Sequence, residues 1–160
     1  MAVVDEIDCA LLLELQERGD VPNIELARKV GLSPAATSRR VARLWSAGVI
    51  EAVRAVVVAE AVGLPVEAYV LVTLAEHAPN ADARFAREVA TMPAVLSADS
   101  IAGAEDALLH VAVASPAELQ RLLLALKRAG ASRLTTMLRL QAIKPAAPLQ
   151  PHTPRRAAVR

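Results

Sequence analysis

A chain of 160 residues holds one or two small domains, and a hydrophobic content of 54% is enough to bury a core. Aromatic residues make up only 2%, so alanine, leucine and valine must do the packing, and a formal net charge of +1 excludes a globally attractive surface for a polyanion. A single cysteine, Cys9, excludes an intrachain disulfide, while Glu60, Pro65 and Glu67 interrupt the apolar stretch around residues 55–72 and exclude a membrane-spanning helix there.

Ile7, Leu11, Leu12 and Leu15 recur at helical spacing and predict a first amphipathic helix. Cys9 lies off that stripe, which leaves it either partly exposed or at a subunit contact. Asp5 and Glu6 interrupt the start before any apolar run forms, so a cytoplasmic protein without a secretory signal is expected.

Residues 23–50 predict two short helices joined by a three-residue turn. Asn23, after Pro22, is placed to cap the first of them, whose buried face carries Leu26, Ala27 and Val30. Ala27 is small where two steeply crossing helices must approach. Gly31 supplies the positive φ of the turn and Leu32 plugs the corner. Ser33 is the next cap, with Pro34 at the first helical position, where a missing amide costs nothing. In the second helix Thr37, Val41 and Leu44 face the core. Ala35, Ala36, Ser38, Arg39, Ala42 and Arg43 then face outward, with Arg40 at the flank.

This is the spacing of a helix-turn-helix. Its outward face is small at the N-terminal end, where a major groove demands close backbone approach, and cationic further along, where phosphates lie. The candidate DNA-binding residues are therefore Ser33, Ala35, Ala36, Ser38, Arg39, Arg40 and Arg43, and double-stranded DNA is the partner. Charge separation agrees. The first 50 residues hold six cations and seven acids, yet every acid precedes residue 26 and all cations but Arg18 follow it.

Valine-rich residues 51–66 read as a linker, an extended connector or strand that ends at Gly63-Leu64-Pro65. A strand is expected over 66–75, a helix over 82–91 with Phe85 and Val89 on one face, and a strand over 95–102. A turn at Gly103–Asp106 leads to a strand over 107–114. Ser115, Pro116 and Glu118 have capping-box spacing and open a helix with the stripe Leu119, Leu122, Leu123 and Leu126. Residues 132–143 complete the set as a last strand. The order β-α-β-β-α-β is the ferredoxin-like plan. The fold class is thus α+β, a winged-type helix-turn-helix domain over 1–50 (motif 23–42) followed by a ferredoxin-like domain over 67–144. Val70, Val72, Val111 and Val113, with their neighbours, point to a sheet apolar on both faces, for which a sheet-on-sheet homodimer is the simple solution. Residues 145–160 are proline-rich, carry Arg155, Arg156 and Arg160, and read as a disordered basic tail, either inert or adding weak phosphate affinity.

From Val4 to Lys144 the chain resembles the Lrp/AsnC family of transcription regulators. The likeness rests on Ile7-Asp8 with Leu11-Leu12-Glu14-Leu15-Gln16, on Glu25-Leu26-Ala27 through Val30-Gly31-Leu32-Ser33-Pro34, and on Arg40-Val41 and Arg43-Leu44 leading to Gly48-Val49-Ile50. It implies a homodimer, often assembled into tetramers or octamers, that binds DNA and responds through a RAM ligand-sensing domain to a small-molecule effector such as an amino acid. Family members that bind amino acids carry Gly-Asp-x-Asp-Tyr between the second and third sheet strands. Here the turn reads Gly103-Ala104-Glu105-Asp106-Ala107, which keeps the glycine and second acid and loses the first acid and the aromatic. By the resemblance, Gly103, Ala104, Glu105 and Asp106 are the effector-site candidates, with amino-acid recognition altered by the two alanines.

Two other functions fit parts of the sequence. Sirohaem decarboxylases resemble this two-part architecture, but the only histidines are His77, His110 and His152, and no catalytic, metal-ligand or phosphate-loop spacing is present, so neither an enzyme nor a cofactor or metal site is expected. An architectural DNA-binding oligomer is the other, because Ala35, Ala36 and Ala42 offer base edges no hydrogen bonds.

Overall fold

The structure, a computed structural model, describes residues 4–75 and 80–151. The chain forms two compact units, residues 1–55 together with the segment from Lys144 onward, and residues 56–143. Among the described residues no helix is long and apolar enough to cross a membrane.

The first unit contains α1 (Glu6–Glu17), α2 (Asn23–Val30) and α3 (Pro34–Ser46). Helix α1 opens with a reciprocal capping box in which Asp5 accepts from the Asp8 amide and Asp8 from the Asp5 amide. Leu11, Val21 and Leu26 form the centre of a small core, with Ile7, Leu15, Val30 and Val41 packed around it. Ala27, Thr37 and Leu44 are also buried, as the helical spacing requires of a tight α2–α3 crossing. Gly31 adopts φ 70° and closes α2, its amide and that of Leu32 reaching back to the carbonyls of the last turn.

Residues 51–58 are exposed and carry no strand, and Val56 is fully exposed. Of the two forms expected, connector and strand, the structure shows the connector, because the valines find no partner strand among the described residues and strand propensity alone does not satisfy main-chain groups. A short 3-10 turn follows at Glu60–Val62, closed by Gly63 at φ 83°.

The second unit is built from β1 (Val66–Leu74), α4 (Ala81–Ala90), β2 (Val95–Ser100), β3 (Ala107–Val113), α5 (Pro116–Ala129) and β4 (Ala131–Leu138). These strands make an antiparallel sheet in the order β2-β3-β1-β4. Alternation along β1 and β3 sends Ala68, Val70, Val72, Leu109, Val111 and Val113 into one core with Phe85 and Val89 of α4 and Leu119, Leu122 and Leu126 of α5. Ser115 caps α5 through the Glu118 amide, while the Glu118 carboxylate reaches back to the amide of Ala114 instead of the cap residue itself.

Strand β4 stops at Leu138, short of the expected residue 143. Its partner β1 begins at Val66, so the bond from the Arg139 amide to the Glu67 carbonyl (2.9 Å) falls at the end of the ladder. The sheet face turned away from the helices also differs from expectation. Leu71, Leu108 and Met137 lie on it, but so do Glu67, His110 and Thr135, because the alternate positions of β1, β3 and β4 are mixed in character.

Leu126 is fully buried between helix and sheet. Replacing it with Ala should lower unfolding free energy by about 3 kcal/mol, readable as a drop in the urea midpoint at unchanged slope.

Candidate nucleic-acid interface and effector turn

The start of α3 is held by three local bonds. Ser33 Oγ accepts from the Ala36 amide (3.2 Å), the Thr37 hydroxyl donates to the Ser33 carbonyl (3.1 Å), and the Asn23 side-chain amide donates to the Pro34 carbonyl (2.8 Å). Asn23 is therefore not the cap of α2. Pro22 occupies that position, its carbonyl accepting the amides of Glu25 and Leu26, and the Asn23 side chain is left to tie α2 to the first turn of α3.

Ala35, Ser38, Arg39, Ala42 and Arg43 are exposed along α3, and Ala36 and Arg40 are half-buried. The arginines are not equivalent. Arg40 bonds to Asp5 at 2.7 Å and to Asp8 at 2.9 Å, and Arg43 bonds to the other oxygen of Asp8. Arg39 forms no ion pair among the described residues. Thus Arg43, expected to face outward, and Arg40, expected at the flank, both reach back to Asp8 of α1.

The residue that binds them, Asp8, has no exposed surface at all. Its burial pushes the carboxyl pKa up, but the hydrogen bonds from Arg43, the Asp5 amide and Arg40, with the Arg43 charge, outweigh that and hold it below the usual carboxylate value. Sequence reasoning did not single out Asp8 as a site residue. The signal was present, since Asp8 stands three, four and seven residues before Leu11, Leu12 and Leu15 and so shares their buried stripe. An acid on a buried stripe demands a cationic partner. Neighbouring Cys9 is half-buried, and its thiol pKa is pushed up, by burial first and then by the charges of Asp8, Asp5 and Glu6, which favours the unreactive thiol.

At the turn between β2 and β3, Gly103 and Ala104 are exposed. Glu105 pairs with Arg133 of β4 at 3.2 Å. Asp106 is built into the sheet end: its Oδ2 accepts from the Leu74 amide and its own amide donates to the Val72 carbonyl, both at 2.8 Å. The four candidates are contiguous, but only Asp106 lines the adjoining cleft between α4 and β2. That cleft, about 580 Å³, has an apolar floor of Leu74, Phe85 and Val89, with Ile101 and Asp99 at its margin.

His110 Nε2 lies 3.0 Å from the Glu67 carboxylate, which also accepts from Arg139 at 2.7 Å, and the His110 ring stacks on Tyr69 with centroids 4.9 Å apart. His77 and His152 lie outside the described residues. Among the described residues no group of three or more metal-ligating side chains is placed to hold an ion.

Residues 4–51 match the family model described as winged helix-turn-helix DNA-binding, and residues 67–149 match that of the Lrp/AsnC ligand binding domain. The leucine-responsive regulatory protein of Rhizobium meliloti is 38% identical over 118 residues, covering 73% of this chain and 75% of the relative. The chain belongs to the Lrp/AsnC family. It is a DNA-binding transcriptional regulator of that type, with the family's α+β fold. Among solved structures, a transcriptional regulator of Neisseria meningitidis in complex with L-methionine superposes with a TM-score of 0.84 at 31% identity, over 91% of this chain and 95% of that one. The feast or famine regulatory protein of M. tuberculosis complexed with L-methionine gives 0.82 at 33%, over 94% and 99%. Membership in a family of regulators, not enzymes, sets aside the decarboxylase alternative.

The Asp8 network links the interface to stability and pH. Because the Asp8 pKa is lowered on folding, its contribution is fully present above the ordinary value of 3.8 and is lost as pH falls through the lowered value. Asp8→Ala should cost about 2 kcal/mol near neutral pH, less than a fully buried pair because both arginine heads keep some water. Urea midpoints of parent and variant should converge as the pH is taken below 3.8.

Proposed function

We propose that this regulator reads a specific operator as a symmetric homo-oligomer, placing paired α3 helices in successive major grooves, and that a small amphipathic effector of the amino-acid class modulates it. The observation that carries the DNA reading is the division of labour on α3. Arg40 and Arg43 are drawn toward Asp8, leaving Ala35, Ser38, Arg39 and Ala42 as a small exposed face with one unengaged cation among the described residues. Ser33, Ala35 and Ala36, at the helix start, allow close approach to the duplex. Ser38 and Arg39 supply base-edge or phosphate contacts, and Arg40 and Arg43 lie beside the phosphates as a fixed pair.

One such face is a weak reader, so several copies must act together. The helix-free sheet face supports self-association through Tyr69, Leu71, Leu108 and Met137, around the Glu67–His110–Arg139 cluster. Half-sites in an operator read this way lie about 10 bp, or a multiple of that, apart.

For the effector, the cleft between α4 and β2 offers an apolar floor beside Asp106, suited to an ammonium group carried on an apolar side chain. The L-methionine held by the Neisseria and M. tuberculosis relatives is of this class. Ala104 and Ala107 remove the acid and aromatic from the family's effector turn, and Glu105 is engaged by Arg133, so the pattern of amino acids accepted differs from that of members with the full motif.

Selection from random duplexes tests the DNA reading. An enriched palindrome is expected, whereas salt-sensitive binding with no enriched sequence would support the architectural alternative. Arg39→Ala should weaken binding to the selected duplex and reduce the slope of log affinity against log salt by about one unit. For the effector, a thermal-shift panel of the common amino acids should give at least one stabilising ligand, most readily an apolar one such as L-methionine. A flat panel at millimolar concentrations would remove the amino-acid effector and leave the DNA reading intact.

A further inference from the structure

Strand β2 is uncovered where the rest of the sheet is packed. Only Val95 is half-buried and its other residues are exposed, although a strand under a helix layer ordinarily buries every second side chain. The cause lies on α4. Its large apolar side chains, Phe85 and Val89, are buried in the core, and the other α4 residues that line the gap beside β2 are Asp82, Ala86 and Ala90. Ala98 and Ala107 are equally small on the strand side. What remains is a cleft of about 580 Å³ over a buried apolar floor, within the size range of small-molecule sites.

The charge of that lining is one-sided. Asp82 comes from the first turn of α4, Asp99 from β2 and Asp106 from the sheet end, with Ser97 and Ser100 as the hydroxyls. Among the described residues no lysine, arginine or histidine lines the cleft. Helix α4 carries Arg84 and Arg87, but both lie off the lining. Asp82 and Asp99 form no hydrogen bond or ion pair among the described residues, and Asp106 uses only Oδ2, on the Leu74 amide. Carboxylates above an apolar floor focus a negative potential into the cleft. A free amino acid brings two charges into that field. Its ammonium group is attracted, while its own carboxylate meets three like charges and only neutral hydroxyl donors.

We propose that the cleft takes an apolar primary amine, an ammonium group on an alkyl or arylalkyl body without a carboxylate, in preference to the amino acid with the same side chain. This rests on the reading of the cleft as the effector site and names the ligand class of that site. The apolar body lies on Leu74, Phe85 and Val89, and the ammonium group is held among Asp82, Asp99 and Asp106. Such a ligand differs from the L-methionine held by the Neisseria and M. tuberculosis relatives in lacking the carboxylate, not in the character of its side chain.

The test uses the full chain and isothermal titration with matched pairs that differ only in the carboxylate: L-leucine against isopentylamine, L-phenylalanine against phenethylamine, and L-methionine against its decarboxylated amine. Each amine should bind more tightly than its amino acid, by about tenfold or more, and added salt should weaken the amine. Asp82→Asn combined with Asp99→Asn should weaken the amines and narrow that preference with little change in melting temperature, since neither carboxylate holds a bond among the described residues. Ala86→Trp, which fills the cleft from an exposed position, should abolish binding of both classes. Amino acids that bind as tightly as their amines would overturn the amine preference and leave the amino-acid effector standing. Amine binding undiminished by the double Asn variant or by Ala86→Trp would also overturn it. If the amines bind and the amino acids do not, the amine reading holds and the amino-acid effector falls; if neither class binds, both fall.

Discussion

A carboxylate with no access to water organises the DNA-binding unit. Asp8 lies fully buried at the start of α1, and a charge there is tolerable only if it is well bonded. It is bonded to the Asp5 amide, to Arg40 and to Arg43. Those bonds cap α1, set how α3 lies against it, and hold two guanidinium groups in place. The core beneath, centred on Leu11, Val21 and Leu26, is too small to impose that geometry by packing alone.

The same network limits what one copy can do with DNA. Guanidinium groups engaged by a buried carboxylate are already partly neutralised, so they attract phosphate less strongly than solvated ones. Alanine at 35, 36 and 42 gives steric access without hydrogen bonds. A regulator built on such a helix gains from repetition and from additional charge. On the proposed reading, repetition comes from the helix-free sheet face. In the second unit the acid retained at the effector turn, Asp106, is also a main-chain ligand of β1, so the cleft beside it is coupled directly to the sheet end.

Helical and strand periodicities were legible in the sequence because each depends on neighbours within one turn or one pleat. The cap at Ser33, the turn at Gly31 and the alternation along β1 and β3 are local in this sense. Errors fell where a partner decided the outcome. Residues 51–58 have the composition of a strand but no strand beside them among the described residues, and β4 stops where β1 runs out. Asn23 resembles a cap by position, but Pro22 already supplies the extended residue and the carbonyl that start α2.

Sequence by itself determined the two-part α+β organisation, the helix-turn-helix and the family likeness, since these rest on spacing, capping chemistry and composition read over short windows. Tertiary structure alone decided which arginines of α3 are engaged, that Asp106 serves the sheet, and that Leu149 returns to Gln16. Each of these joins residues 32 to 133 positions apart. Side-chain charge is written in the sequence, but its availability depends on what the fold places within hydrogen-bonding distance.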